Sequence, residues 1–92
     1  MKKNDRGLLK RLIQSIDSFE DREISLGDLV SAVETVRGSL EDEVVRNAMF
    51  EDLLALEEVN AFLTEPDFDF AKYGKAVLKN AVASLRRIAS VD

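Results

Sequence analysis

Apolar residues recur at three- and four-residue spacings in four successive segments of the 92-residue chain, a period typical of amphipathic α-helices. Short polar stretches separate the segments, and none alternates apolar and polar residues as a half-buried strand would. Helices joined by short connections pack as antiparallel neighbours around one core. The sequence therefore predicts an all-α fold, a compact antiparallel bundle of four helices with residues 1–92 as a single domain.

Local signals predict where the first two helices begin and end. We expect the first helix over about residues 5–19 and the second helix after Ser25, which forms a capping box with Asp28. Gly38 is predicted to end the second helix in a left-handed conformation, which glycine adopts at little cost.

The third helix is predicted to follow at once, because Ser39 and Asp42 repeat the capping-box spacing. It should run to about residue 64, since Pro66 prevents further extension. The fourth helix is predicted from about residue 67 or 69 to residue 90. The expected core positions of the third helix are Val45, Met49, Leu53, Leu56 and Leu63, and those of the fourth are Phe70, Val77, Leu78, Ala81, Val82, Leu85 and Ile88.

The composition excludes several classes of function. The chain has no cysteine and no histidine, so it lacks a thiolate metal site and the commonest general base and metal ligand. The acidic stretch "EPDFD" lacks the spacing and the glycine of a calcium loop. We therefore expect a protein that is not an enzyme and that holds no cofactor and no metal. With no apolar segment long enough for a membrane span and no secretory leader, we expect a cytoplasmic protein that does not bind membranes.

Charge is distributed unevenly along the chain. Residues 20–69 contain fifteen acidic and three basic residues, whereas residues 1–19 and 70–92 are both net positive. Lys72, Lys75, Lys79 and Arg86 lie roughly on one face of the fourth predicted helix. The sequence pI of about 4.7 and the acidic middle of the chain argue against a nucleic-acid partner.

The third predicted helix carries the candidate binding site. Residues 51–69 contain seven carboxylates and no base, and Glu51, Glu58 and Glu65 recur every seven residues opposite the core stripe, with Asn47 one turn earlier. Like charges along one helix face repel each other, so this arrangement indicates either a solvated face or a surface for a basic protein partner. The predicted partner-binding residues are Asn47, Glu51, Glu57, Glu58 and Glu65.

The apolar arc of the same helix is wide, because it also includes Val44, Ala48, Ala55, Val59 and Phe62. Such an arc is typical of a central helix covered by its neighbours, or of a patch that pairs with another chain, so a homodimer is possible. Asn60 falls within the core stripe, where a buried amide requires hydrogen-bond partners.

The stretches "EISLGDLVSAVETVRGSL" and "LALEEVNAFL" together resemble the small all-helical immunity proteins of bacterial contact-dependent and polymorphic toxin systems, over about residues 8–63. The resemblance implies a non-catalytic protein that neutralises a cognate toxin by binding its toxic domain. Many toxic domains are nucleases with basic substrate-binding surfaces, to which an acidic helix is complementary. Two alternatives remain open: a homo-oligomeric adaptor or structural protein, and a regulatory module that binds a small ligand in the bundle core.

Overall fold

A computed structural model describes residues 2–90, and its architecture confirms the all-α prediction. Neighbouring helices in the chain pack against each other, and the first also packs on the last, which closes a four-helix bundle measuring 44 × 25 × 18 Å. The helices are α1 (Lys3–Glu20), α2 (Leu26–Ser39), α3 (Glu43–Phe62) and α4 (Lys75–Ala89), and a π-helical turn, Phe70–Gly74, leads into α4.

All four helices contribute to one aliphatic core. Burial of one large aliphatic side chain stabilises a fold by about 1.5–3 kcal/mol, so this cluster is the main force that holds the helices together. The largest fully buried apolar side chains are Leu9, Leu12, Ile16, Leu29, Met49, Leu56 and Leu85.

The predicted start of α2 is confirmed. The Ser25 hydroxyl accepts a hydrogen bond from the Asp28 backbone N–H at 3.1 Å, and the Asp28 carboxylate accepts one from the Ser25 N–H at 3.2 Å. The predicted end is wrong, because Gly38 has an ordinary negative φ and α2 continues through Ser39. The next residue, Leu40, is extended and almost completely buried, so a core contact ends the helix.

The predicted start of α3 at Ser39 is also wrong, because α3 begins only at Glu43, with Asp42 as its N-cap. Asp42 accepts hydrogen bonds from the N–H groups of the second and third following residues. The N–H groups of Glu41 and Asp42 are bound instead by the carboxylate of Asp5, at 3.0 and 2.9 Å. Asp5 comes from α1 and is completely buried. A side chain 36 residues away along the chain therefore determines where α3 starts.

The connection between α3 and α4 is longer than predicted. The α3 helix ends at Phe62 rather than at about residue 64, and α4 is preceded by a π-helical turn capped by Asp69. Leu63 and Val77, both expected in the core, are 47% and 41% exposed. Gly74 is buried against the rings of Phe68 and Phe70, so a larger side chain would not fit there without movement of the rings.

Candidate functional site

The face of α3 that points away from the bundle is the candidate binding surface. Residues at positions 47, 51, 54, 58 and 61 follow the helical repeat, and all five are exposed. Three of them are Asn47, Glu51 and Glu58, which the sequence predicted to share one face. We call the set Asn47, Phe50, Glu51, Leu54, Glu58 and Ala61 the α3 face.

The α3 face also contains apolar side chains that the sequence analysis missed. Leu54 is 46% exposed and lies within one turn of both Glu51 and Glu58 on the same side of the helix. Phe50, one turn earlier, is 45% exposed. The signal was in the sequence, because Leu54 is three residues after one glutamate and four before the other. The face is therefore a mixed surface, in which apolar groups lie between carboxylates.

Phe50 is held in place by α2. The guanidinium of Arg37 lies 5.0 Å from the centre of the Phe50 ring, a cation–π geometry. The Nε of Arg37 also donates a hydrogen bond to the backbone carbonyl of Arg46 at 3.0 Å, which fixes the guanidinium at the junction of α2 and α3. An aromatic ring that is exposed but oriented in this way loses little conformational entropy when a partner covers it.

The acidic residues of the region have different surroundings. Asp52 is turned toward α4, where its carboxylate accepts a hydrogen bond from Ser84 at 2.5 Å. Asp69 caps the π-helical turn by accepting a bond from the Lys72 N–H. Within residues 2–90, no ion pair with a base involves Glu51 or Glu58. Two carboxylates of the α3 face are therefore left available to another molecule.

Glu57 lies at the edge of the α3 face, half-buried beside Glu34 of α2. A hydrogen bond between the two carboxyl groups, together with desolvation and the negative charge of Glu34, raises the pKa of Glu57. Two carboxyl groups that share a hydrogen bond favour a state in which one of them keeps its proton. Glu57 therefore has an acidic neighbour on α2.

Glu65 does not belong to the same surface of the helix. Because α3 ends at Phe62, the seven-residue repeat stops before Glu65, which is exposed in the connection to α4. Its N–H donates to the carbonyl of Phe62 in a turn. The Phe62 ring, 43% exposed, stacks on Phe68 with 5.5 Å between the ring centres. Glu65 thus extends the acidic surface beyond the helix, next to an aromatic pair.

The wide apolar arc of α3 is divided between core and surface. Val59 is buried, whereas Val44 is 77% exposed and Ala48 is also exposed. Asn60 is half-buried where α3 passes α2, with its amide atoms 3.9 Å from the point where a Cβ on Gly27 would lie. Part of the arc that the sequence left open between core and interface therefore remains accessible.

In the part of the chain that the structure describes, no three acidic side chains are grouped closely enough to hold a metal ion. Over the same residues, no helix combines the length and the apolar character that crossing a bilayer requires. What the geometry presents is a surface on one helix, with carboxylates and apolar side chains interleaved. Comparison of the chain with protein-family models, with curated proteins and with solved structures gave no significant match.

Proposed function

We propose that this protein is an immunity protein, a non-catalytic module that neutralises a cognate bacterial toxin in the cytoplasm by binding its toxic domain through the α3 face. The observation that carries the proposal is the position of Leu54, half-exposed between Glu51 and Glu58, which have no basic partner among residues 2–90. Single exposed apolar residues are common on solvated surfaces, whereas here two of them, Phe50 and Leu54, lie one turn apart beside the carboxylates. Such a mixed surface fits a protein interface, in which a few side chains that become fully buried supply most of the affinity.

The charges define the chemistry of the partner. Glu51 and Glu58 are two helical turns apart, so they present negative charge along about 10 Å of the helix. Complementary charges steer encounter and can raise association rates by about 10- to 1,000-fold. The partner that fits is a basic protein surface with an apolar depression, such as the substrate-binding surface of a toxic nuclease. The protein then acts by covering that surface, and needs no active site.

The resemblance to immunity proteins gives the second support. Its two motif stretches include the second half of α3, where Leu54 and Glu58 lie, and α2, which positions Phe50 through Arg37. The residues that carry the resemblance therefore overlap with the surface proposed to bind the toxin.

The test is co-expression with the products of the neighbouring genes, to find a toxic one, combined with binding kinetics at low and high salt. The variant Glu51→Lys/Glu58→Lys should lose protection of the cells and associate at least ~10-fold more slowly at low salt. The variant Asp21→Lys/Glu23→Lys is the matched control, because it makes the same charge change at two exposed positions after α1. The control should protect cells as the parent does.

A second variant tests the apolar anchor. Leu54→Ala should leave the association rate nearly unchanged and raise the dissociation rate, because short-range packing acts after encounter. If Glu51→Lys/Glu58→Lys binds the toxin and protects cells like the parent, the α3 face is not the interface. If no neighbouring gene product is toxic and none binds, the proposed function itself is wrong.

A further inference from the structure

A second surface of the molecule has the opposite charge. An open groove of about 990 Å³ lies between the end of α1, the turn after it and one face of α4. The α4 residues that line it, at positions 75, 78, 79, 82, 83, 86, 87 and 90, follow the helical repeat from the first residue of the helix to just past its last. Its apolar lining is formed by Phe19, Ile24, Phe70, Leu78 and Val82.

The rim of the groove carries several cations without acidic partners. Arg86 is paired, since its guanidinium contacts the carboxylates of Asp17, at 2.9 Å, and Glu20. The other bases have no carboxylate within 4.0 Å among residues 2–90. These bases are Arg22, Lys75, Lys79 and Arg87.

The backbone conformation of Arg22 places this residue on the rim. Arg22 has a φ of 62°, in the left-handed region that favours glycine. Its N–H donates to the carbonyl of Phe19 and the next N–H, of Glu23, donates to that of Ser18, the hydrogen-bond pattern of a Schellman motif. A side chain at such a position costs stability that glycine would not cost. Here the strained position places an arginine on the groove.

Four separate cations along an apolar groove require several negative charges in the occupant. The carboxylate of a single fatty acid would leave most of them unmatched, whereas an acidic amphipathic helix extends along the groove and brings more than one carboxylate to its rim. The α3 face is such a surface: exposed Phe50 and Leu54 lie beside Glu51 and Glu58, which have no basic partner among residues 2–90. We propose that the groove binds the α3 face of a second copy of this chain.

In this contact, the groove residues of one copy meet the α3-face residues of the other. If each groove binds the α3 face of the other copy, the two copies form a closed dimer. If the contact is made only once between two copies, further copies can add and extend the assembly. The contact shares the α3 face with the proposed toxin interface but does not depend on that function. If the α3 face makes both contacts, the toxin and a second copy compete for Glu51 and Glu58. Self-association then covers the α3 face until a toxin displaces the second copy.

The experiment is sedimentation of the purified protein, from micromolar to millimolar concentration, at low ionic strength and at about 1 M salt, where the Debye length is about 3 Å. We expect the average mass to rise with concentration at low salt and much less at high salt. Glu51→Lys/Glu58→Lys and Lys75→Glu/Lys79→Glu should each weaken self-association by at least ~10-fold. The matched control, Lys3→Glu/Lys10→Glu, reverses two exposed lysines outside the groove and should associate like the parent.

Mixing the two defective variants tests whether the groove of one copy binds the α3 face of another. The first keeps an intact groove and the second an intact α3 face, so the mixture should regain the association that each variant alone has lost by at least ~10-fold. Both variants carry net negative charge, so general attraction does not explain such a recovery. A parent that stays monomeric at low salt, or a mixture that does not associate, overturns the proposal.

Two further results separate this contact from other possibilities. If the parent is monomeric but binds vesicles of anionic phospholipid through Lys75 and Lys79, the groove is a membrane-binding surface and the proposal is wrong. Toxin binding is measured independently of self-association. Lys75→Glu/Lys79→Glu should still bind the toxin, so loss of self-association in that variant does not bear on the proposed immunity function.

Discussion

The starts of α3 and α4 are fixed by different sets of hydrogen bonds. Each helix entry has an aspartate cap, Asp42 for α3 and Asp69 for the π-helical turn that leads into α4. Two of the three residues between α2 and α3, Glu41 and Asp42, also donate their N–H groups to the buried carboxylate of Asp5 from α1. The connection between α3 and α4 has only local hydrogen bonds, and most of its residues are exposed.

A helix start can therefore be fixed either by a distant side chain or by hydrogen bonds within its own segment. A distant buried carboxylate couples the local structure to the whole fold, so the α2–α3 connection should open only when the bundle unfolds. A connection with local bonds can open by itself. We expect the backbone amides of residues 41 and 42 to exchange with solvent far more slowly than those of residues 67–73.

The largest expected effect comes from removing the distant restraint. Asp5→Ala should lower the free energy of unfolding by about 2–4 kcal/mol, because it leaves two backbone N–H groups without their charged acceptor. The measurement is urea denaturation, with Asn4→Ala, an exposed neighbour, as the control. The control should change stability by less than about 0.5 kcal/mol. A loss in Asp5→Ala no larger than in the control would remove the distinction between the two helix starts.

The next effect concerns the packing before α4. Gly74→Ala should destabilise by about 1–3 kcal/mol, because the new methyl carbon would lie 2.8 Å from Phe70 and 2.9 Å from Phe68. The matched control is Gly7→Ala in α1, where a Cβ meets nothing within 4 Å. That control should be neutral or stabilising, since alanine favours helix over glycine by about 1 kcal/mol. If Gly74→Ala is also neutral, the aromatic rings yield and this connection is looser than its contacts indicate.

These contrasts also mark what the sequence was able to predict. Apolar spacing identified four helices, and the Ser25–Asp28 capping box placed the start of α2, because both signals are local. The same reasoning failed at Ser39, where the decisive contact comes from Asp5, far away in the sequence. It failed again at Leu63, where the helix ends before the repeat does. Local patterns carry no information on which distant side chain satisfies a backbone group.

In the candidate site too, local patterns predicted local features and missed contacts between distant residues. The exposure of Asn47, Glu51 and Glu58 was predictable from the helical period, and Leu54 could have been placed between the glutamates by the same count. The pairing of Glu57 with Glu34 was not predictable, because it depends on how α2 and α3 are aligned. The groove beside α4 was also missed, since it is formed by residues 19–24 and 70–90, which meet only in the fold.

The smallest effect on stability should come from the local cap before α4. Asp69→Ala removes the hydrogen bond to the Lys72 N–H, and loss of such a cap costs about 1 kcal/mol. We expect faster amide exchange in residues 70–74 and no change at residues 41 and 42. An equal increase in amide exchange at both connections would show that the two helix starts are coupled and do not open independently.

The Glu34–Glu57 pair has a consequence for the energetics of binding. Because its neighbour raises the pKa of Glu57, the free protein keeps a proton there at pH values where an ordinary glutamate has lost it. A cationic partner favours the ionised form, so complex formation should release protons between the ordinary and the raised pKa, and affinity should increase with pH in that window. Calorimetry in buffers with different ionisation enthalpies would detect this release as a buffer-dependent heat, and Glu57→Gln should abolish it.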